Sequence, residues 1–91
     1  MAEVVKGDGS REAFDIEKVR SSIKKAIFDA GLSTKDMSDK IEQSVSSVVE
    51  LTKHKGTVTT ETIRKQILNF FDLTEKRVSD AWRVFERKYK S

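Results

Sequence analysis

Lys6 and Lys18 are the two side chains whose type and placement best suit binding chemistry. Lys6 follows the β-like run Val4-Val5 and stands beside a turn, Gly7-Asp8-Gly9. Lys18 falls in the first turn of a helix that starts after Asp15. If that helix lies across the hairpin, the two ammonium groups converge on one anion. The unpaired amides of residues 15–18 then add partial positive charge, as a helix N-terminus does for phosphate. Taken singly, the same residues have plainer roles. Lys6 is an ordinary strand lysine, Glu12 a cross-strand surface residue and Asp15 an N-cap.

Other chemistries have little to work with. Cysteine is absent, which removes disulfides, thiolate nucleophiles, zinc ribbons and iron–sulfur clusters together. His54 is the single histidine and reads as a helix-end residue, so no metal site is expected. Serine and aspartate occur, but nothing marks a nucleophile elbow or an activated base. Gly7-x-Gly9 lacks the glycine–lysine–threonine continuation of a phosphate-binding loop. At 91 residues and 10.4 kDa the chain fits one domain over 1–91 with a thin core. That is little material for enclosing a substrate and a catalytic apparatus, so no enzyme is expected. No apolar run approaches the roughly 20 residues of a transmembrane helix, and no apolar h-region follows the start. The expectation is a cytoplasmic protein with no membrane partner.

The elements that must position the two lysines are mostly helical. Asp-Gly between two short runs predicts a hairpin over about 2–14. A lone hairpin is marginal in water, so helices must cover it. After Asp15, the residues Ile16, Val19, Ile23, Ala26, Ile27 and Ala30 form one apolar stripe, and Gly31 ends a helix over about 15–31. Met37, Ile41, Val45, Val48 and Val49 mark a second over 34–55, closed by Lys53-His54-Lys55-Gly56. Thr57-Val58-Thr59 reads as a connector. Thr60 is expected to cap a third helix over 60–72, carrying Ile63, Ile67, Leu68, Phe70 and Phe71. Thr74 is expected to cap a fourth over 74–90, with Val78, Ala81, Trp82, Phe85 and Tyr89 inside. Trp82, Phe70, Phe71 and Phe85 read as core. The predicted class is mostly α (α+β): a short N-terminal β-hairpin covered by a four-helix, cone-like bundle.

The net charge of +3 is local. Residues 1–73 carry 12 basic and 12 acidic side chains, whereas 74–91 carry Lys76, Arg77, Arg83, Arg87, Lys88 and Lys90 against three carboxylates. A basic last helix suits a nucleic acid or phosphate, and equally a solvated face.

The opening of the chain resembles the ATP-cone domain family. That family begins Val-x-Lys-Arg-Asp-Gly, then after a few residues Phe-Asp, two residues, and Lys-Ile/Val. Here the run is Val4-Val5-Lys6-Gly7-Asp8-Gly9, then Phe14-Asp15-Ile16-Glu17-Lys18-Val19. Val58-Thr59-Thr60-Glu61-Thr62-Ile63-Arg64 resembles the family's later Thr-rich helix entry, and Ala81-Trp82-Arg83-Val84-Phe85 its last helix. The resemblance implies a regulatory module that binds ATP or dATP, with or without Mg²⁺. Such modules pass occupancy to an attached domain, as in ribonucleotide reductases and the repressor of their genes. It implies phosphate contacts for Lys6 and Lys18, positions near the adenine for Glu12, Asp15 and Val4, and closure by Thr60 and Arg64. Arg87 or Lys88 would complete the site.

Gly7 departs from the family, which carries arginine there, and so removes a five-donor guanidinium. Arg11, across the turn, is the candidate substitute. Two further classes stand beside the sensor reading. One is a nucleic-acid-binding module using the last helix. The other is a protein–protein module, self-association included, that keeps the scaffold and has lost the nucleotide site.

Overall fold

The computed structural model describes residues 2–89. Chain order is β1 (Glu3–Val5), β2 (Arg11–Ala13), α1 (Ile16–Asp29), α2 (Ser38–Lys55), β3 (Thr57–Thr59), α3 (Thr60–Thr74) and α4 (Lys76–Tyr89). Lys90, counted in the basic excess, and the side chain of Tyr89 lie outside the described residues.

β1 and β2 pair antiparallel, with Val4 opposite Glu12. The carbonyl of Lys6 accepts from the Gly9 amide at 2.9 Å, and the Lys6 amide donates to the Ser10 carbonyl at 2.8 Å. Gly7-Asp8-Gly9 is thus a three-residue connection closed by Gly9 at φ 88°, the left-handed position that such a loop requires. Asp8 stiffens it by accepting from the Ser10 amide at 2.9 Å and the Ser10 hydroxyl at 2.7 Å.

The hairpin is one part of a three-stranded sheet ordered β2-β1-β3. Thr57-Val58-Thr59, expected as a connector, runs parallel to β1 with Val58 beside Val4. Three residues carry no readable period. The strand exists because the free edge of β1 needs backbone partners, and because Val4 and Val58, 5% and 3% exposed, bury together beneath the helices.

Local chemistry sets most helix ends. Asp15 is the N-cap of α1, accepting from the Glu17 amide at 2.9 Å. At its C-terminus, the Leu32 amide reaches the Ile27 carbonyl at 3.1 Å and the Gly31 amide reaches Phe28 at 3.0 Å, with Gly31 at φ 78°. This is a Schellman ending.

Three boundaries differ from expectation. α2 begins at Ser38, because Ser33 first closes a separate turn through Asp36 and Met37. The cap of α3 is Thr59, whose hydroxyl accepts from the Thr62 amide at 3.0 Å; Thr60 is the first helical residue. Thr74 closes α3 instead of opening α4, its hydroxyl donating to the Phe70 carbonyl at 2.8 Å, and the chain breaks at Glu75.

Helices α1 and α3 each pack against both α2 and α4. Ile23, Ile27, Val48, Ile67, Phe71 and Val78 are almost wholly buried where the four meet. These residues are the apolar stripes of the sequence brought face to face, and burying each contributes about 1.5–3 kcal/mol. Buried Ser44 and Thr52 donate to carbonyls of their own helix, so the core holds them without an unpaired group.

Candidate functional site

A cavity of about 370 Å³ opens between the sheet, the start of α1, the start of α3 and the outer half of α4. Strand pairing supplies its first two residues. Val4 and Glu12 are cross-strand partners and so project to the same face, towards the helices. Lys6, two residues beyond Val4, shares that face by the two-residue period. The start of α1 adds Asp15 and Lys18, and the start of α3 adds Thr60 and Arg64. Six of the seven expected residues therefore surround one space, and Lys6 reaches it through Glu12.

The two lysines converge, and the anion between them belongs to the chain. Glu12 Oε2 stands 3.3 Å from Lys6 Nζ and 3.3 Å from Lys18 Nζ. Hydrogen bonds from Lys6 and then Lys18 hold the Glu12 carboxyl below its ordinary value. On α3, Arg64 donates through Nε and Nη2 to the two oxygens of Glu86, at 2.6 and 2.7 Å, and through Nη1 to Glu61 at 3.2 Å. The Glu86 carboxylate, ahead of every other influence, raises the Arg64 guanidinium above its usual value. Asp15 keeps one oxygen on the Glu17 amide. Thr60 is exposed at the rim.

Arg11 does not take the place of the missing arginine. It neighbours Glu12 along β2, so it faces the opposite side of the sheet, where Nη1 lies 3.4 Å from Glu3. Neither Arg87 nor Lys88 lines the cavity; α4 presents Trp82 and Glu86, one turn apart. Helical geometry turns positions 87 and 88 away from that face.

The apolar wall of the cavity carries no site signal in the sequence. Phe14, Val19, Ile63 and Trp82 line the cavity. Trp82 packs against the core, as its stripe implies, but stays partly exposed with one side towards the cavity. Glu86 carries none either, because its role depends on Arg64, 22 residues away.

The lining is mixed in sign: Lys18 and Arg64 face Glu12, Asp15, Glu61 and Glu86. An incoming anion meets cations that already have carboxylate partners. Basic residues elsewhere on α4 are engaged too. Arg83 donates to Asp72 at 2.8 Å, and Lys76 lies 3.4 Å from Asp80. Among the described residues, no three histidine, cysteine, aspartate or glutamate side chains stand together as a metal cage. No helix among them is long and apolar enough to cross a membrane.

Residues 2–71 match the sequence profile of the ATP cone domain. The match spans most of the 91 residues, and the chain belongs to that family. ATP-cone domains are regulatory modules that bind adenine nucleotides, not catalytic ones. No curated protein matches the chain. The matched segment ends inside α3, so α4, with Trp82 and Glu86, lies beyond it.

Proposed function

We propose that this ATP-cone domain binds ATP or dATP without turnover and passes its occupancy to an attached domain or partner. The observation that carries the reading is the convergence of Lys6 and Lys18 on a single acceptor, 3.3 Å from each. Ammonium groups that share one carboxylate oxygen are spaced to share a phosphate oxygen, since both make charge-assisted hydrogen bonds of similar geometry. The cavity, about 370 Å³, falls within the range of small-molecule sites.

In this reading Lys6 and Lys18 hold the phosphates. Val4, Glu12 and Asp15 lie near the adenine. Thr60 and Arg64 close the site from α3, and Mg²⁺ arrives on the triphosphate. The whole of 1–91 acts as the binding unit, in the cytoplasm. Occupancy leaves the site through the seam between α3 and α4. A phosphate that draws on Arg64 competes with Glu86, so the bound and empty forms differ in how α4 is held. A partner that prefers one form then senses the nucleotide, with a typical coupling of about 1–3 kcal/mol.

The test is thermal unfolding with ATP, dATP, ADP, GTP and no ligand, each with and without Mg²⁺. At about 100 times the dissociation constant, binding stabilises by about 2.7 kcal/mol, a rise of roughly 10–20 °C for a domain of this size. An adenine-selective rise supports the sensor. No rise at saturating nucleotide favours the second reading, an interaction module with a lapsed site. Gly7 is the observation that supports that alternative.

A further inference from the structure

The seam between α3 and α4 holds two guanidinium–carboxylate pairs whose direction alternates. Arg64 of α3 donates to Glu86 of α4, and Arg83 of α4 donates to Asp72 of α3. Arg83 and Glu86 are three residues apart on α4, the spacing at which side chains of one helix meet. Arg83 lies within electrostatic reach of both Glu86 and Arg64. Glu86 therefore has a second guanidinium beside it, on its own helix. Its side chain is 17% exposed, against 31% for Glu12 and 58% for Glu61. A carboxylate so shielded is costly to leave without a cation. Asp72 is better provided. It also accepts from the Ser79 hydroxyl at 2.5 Å, and Lys76 adds positive charge nearby.

We propose that Arg83 is a positioning residue for the nucleotide site: it takes over Glu86 when a ligand engages Arg64, and so gives up Asp72. The proposal rests on the reading of Arg64 as a phosphate contact and deepens it. Neither Arg83 nor Asp72 lines the cavity, so the exchange carries occupancy beyond it. Each carboxylate keeps a partner, since Glu86 gains Arg83 while Asp72 retains Ser79 and Lys76. Asp80, 3.9 Å from Arg83 and 55% exposed, is the weaker claimant because solvent screens it.

ATP is titrated calorimetrically, at fixed ionic strength, against the full chain, Asp72→Asn, Glu86→Gln and the variant with both. Without Asp72, Arg83 is already available to Glu86, and Arg64 leaves more easily. Asp72→Asn should bind ATP about threefold more tightly than the parent, the scale of a partly exposed ion pair, although it unfolds earlier in urea. Glu86→Gln should also gain. In its background Asp72→Asn should add nothing, whereas the mere loss of a negative charge would add the same factor to both. Nitrogen-15 NMR of the arginine side chains gives a ligand-free reading. Arg64→Gln imitates the withdrawal of Arg64, so the Arg83 N–H signals should shift. They should stay in place in Arg64→Gln/Glu86→Gln.

Unmoved Arg83 signals in Arg64→Gln overturn the proposal. Where the parent binds ATP, equal or weaker binding by Asp72→Asn or by Glu86→Gln overturns it too, as does an Asp72→Asn gain that survives Glu86→Gln. The nucleotide reading is decided separately, by the parent. If the parent fails to bind ATP while the Arg83 signals shift as expected, the sensor reading falls and the exchange within the seam stands. If the parent binds ATP and the signals stay, the reverse holds.

Discussion

Arg64 and Glu86, on α3 and α4, are joined by two hydrogen bonds of 2.6 and 2.7 Å with their planar groups edge to edge. Their side chains are 31% and 17% exposed, which makes this pair better shielded than an ordinary surface ion pair. It ties the α3 side of the candidate site to the last helix. Arg64→Ala should lower the unfolding free energy by about 1–2 kcal/mol, or roughly 5–15 °C in melting temperature. Urea denaturation of the variant, with Glu86→Gln as the milder comparison, checks this. An unchanged midpoint would mean that the apolar face of α4 and the Asp72–Arg83 pair hold it without help from Arg64.

Lys6 and Lys18 should matter for ligand and little for folding. Their side chains are 46% and 66% exposed, and each pairs with Glu12 at the protein surface. Lys6→Ala and Lys18→Ala should each weaken ATP binding about tenfold, the loss of one charge-assisted contact. The melting temperature of the empty protein should barely move. If calorimetry finds parental affinity in both variants, the phosphate assignment is wrong.

Two glycines of one loop should respond differently. A Cβ at Gly7 meets nothing within 4 Å, and its backbone is not left-handed. Gly9 sits at φ 88°. Gly7→Arg, which restores the family residue, should therefore fold as the parent does and bind ATP more tightly. Gly9→Ala should cost about 1 kcal/mol of stability from backbone strain alone. Parallel melting curves and ATP titrations of the two variants read both effects. Weaker ATP binding by Gly7→Arg would show that the site works through another geometry.

The seam between α3 and α4 should also be acid-sensitive. Asp72 accepts both terminal nitrogens of Arg83 at 2.8 Å and the Ser79 hydroxyl at 2.5 Å. Arg83 first, and Ser79 second, hold its carboxyl well below the ordinary value of 3.8. The folded value is thus below the unfolded one. The stabilisation is complete above the unfolded value and drains away as pH falls through the folded value. Asp72→Asn should be less stable than the parent at neutral pH, and the gap should narrow below about pH 4. Urea midpoints of both proteins at neutral and acid pH measure it. A gap that persists in acid would assign the loss to the Ser79 hydrogen bond instead.

Much of this protein is legible residue by residue because the relevant forces are local. The Asp15 cap and the Gly31 ending follow from amides and carbonyls a few positions away. The stripes that place Ile23, Ile27, Ile67 and Phe71 in the core follow from the helical period. The spacing of Lys6 and Lys18, with the opening motif around it, points to the convergence of the two ammonium groups. Helix boundaries are less legible because neighbouring threonines compete as caps. Thr59 prevails over Thr60 because β3 holds it extended, at φ −96° and ψ 158°, with its hydroxyl over the Thr62 amide. What the tertiary structure alone decided are the pairings between distant segments. β3 is a strand because β1 offers it an edge, Glu12 sits between the two lysines because the first turn of α1 brings Lys18 back to the hairpin, and Arg64 meets Glu86 because the chain breaks at Glu75 and folds α4 back along α3. Such contacts depend on the path of the whole chain, which no local spacing encodes.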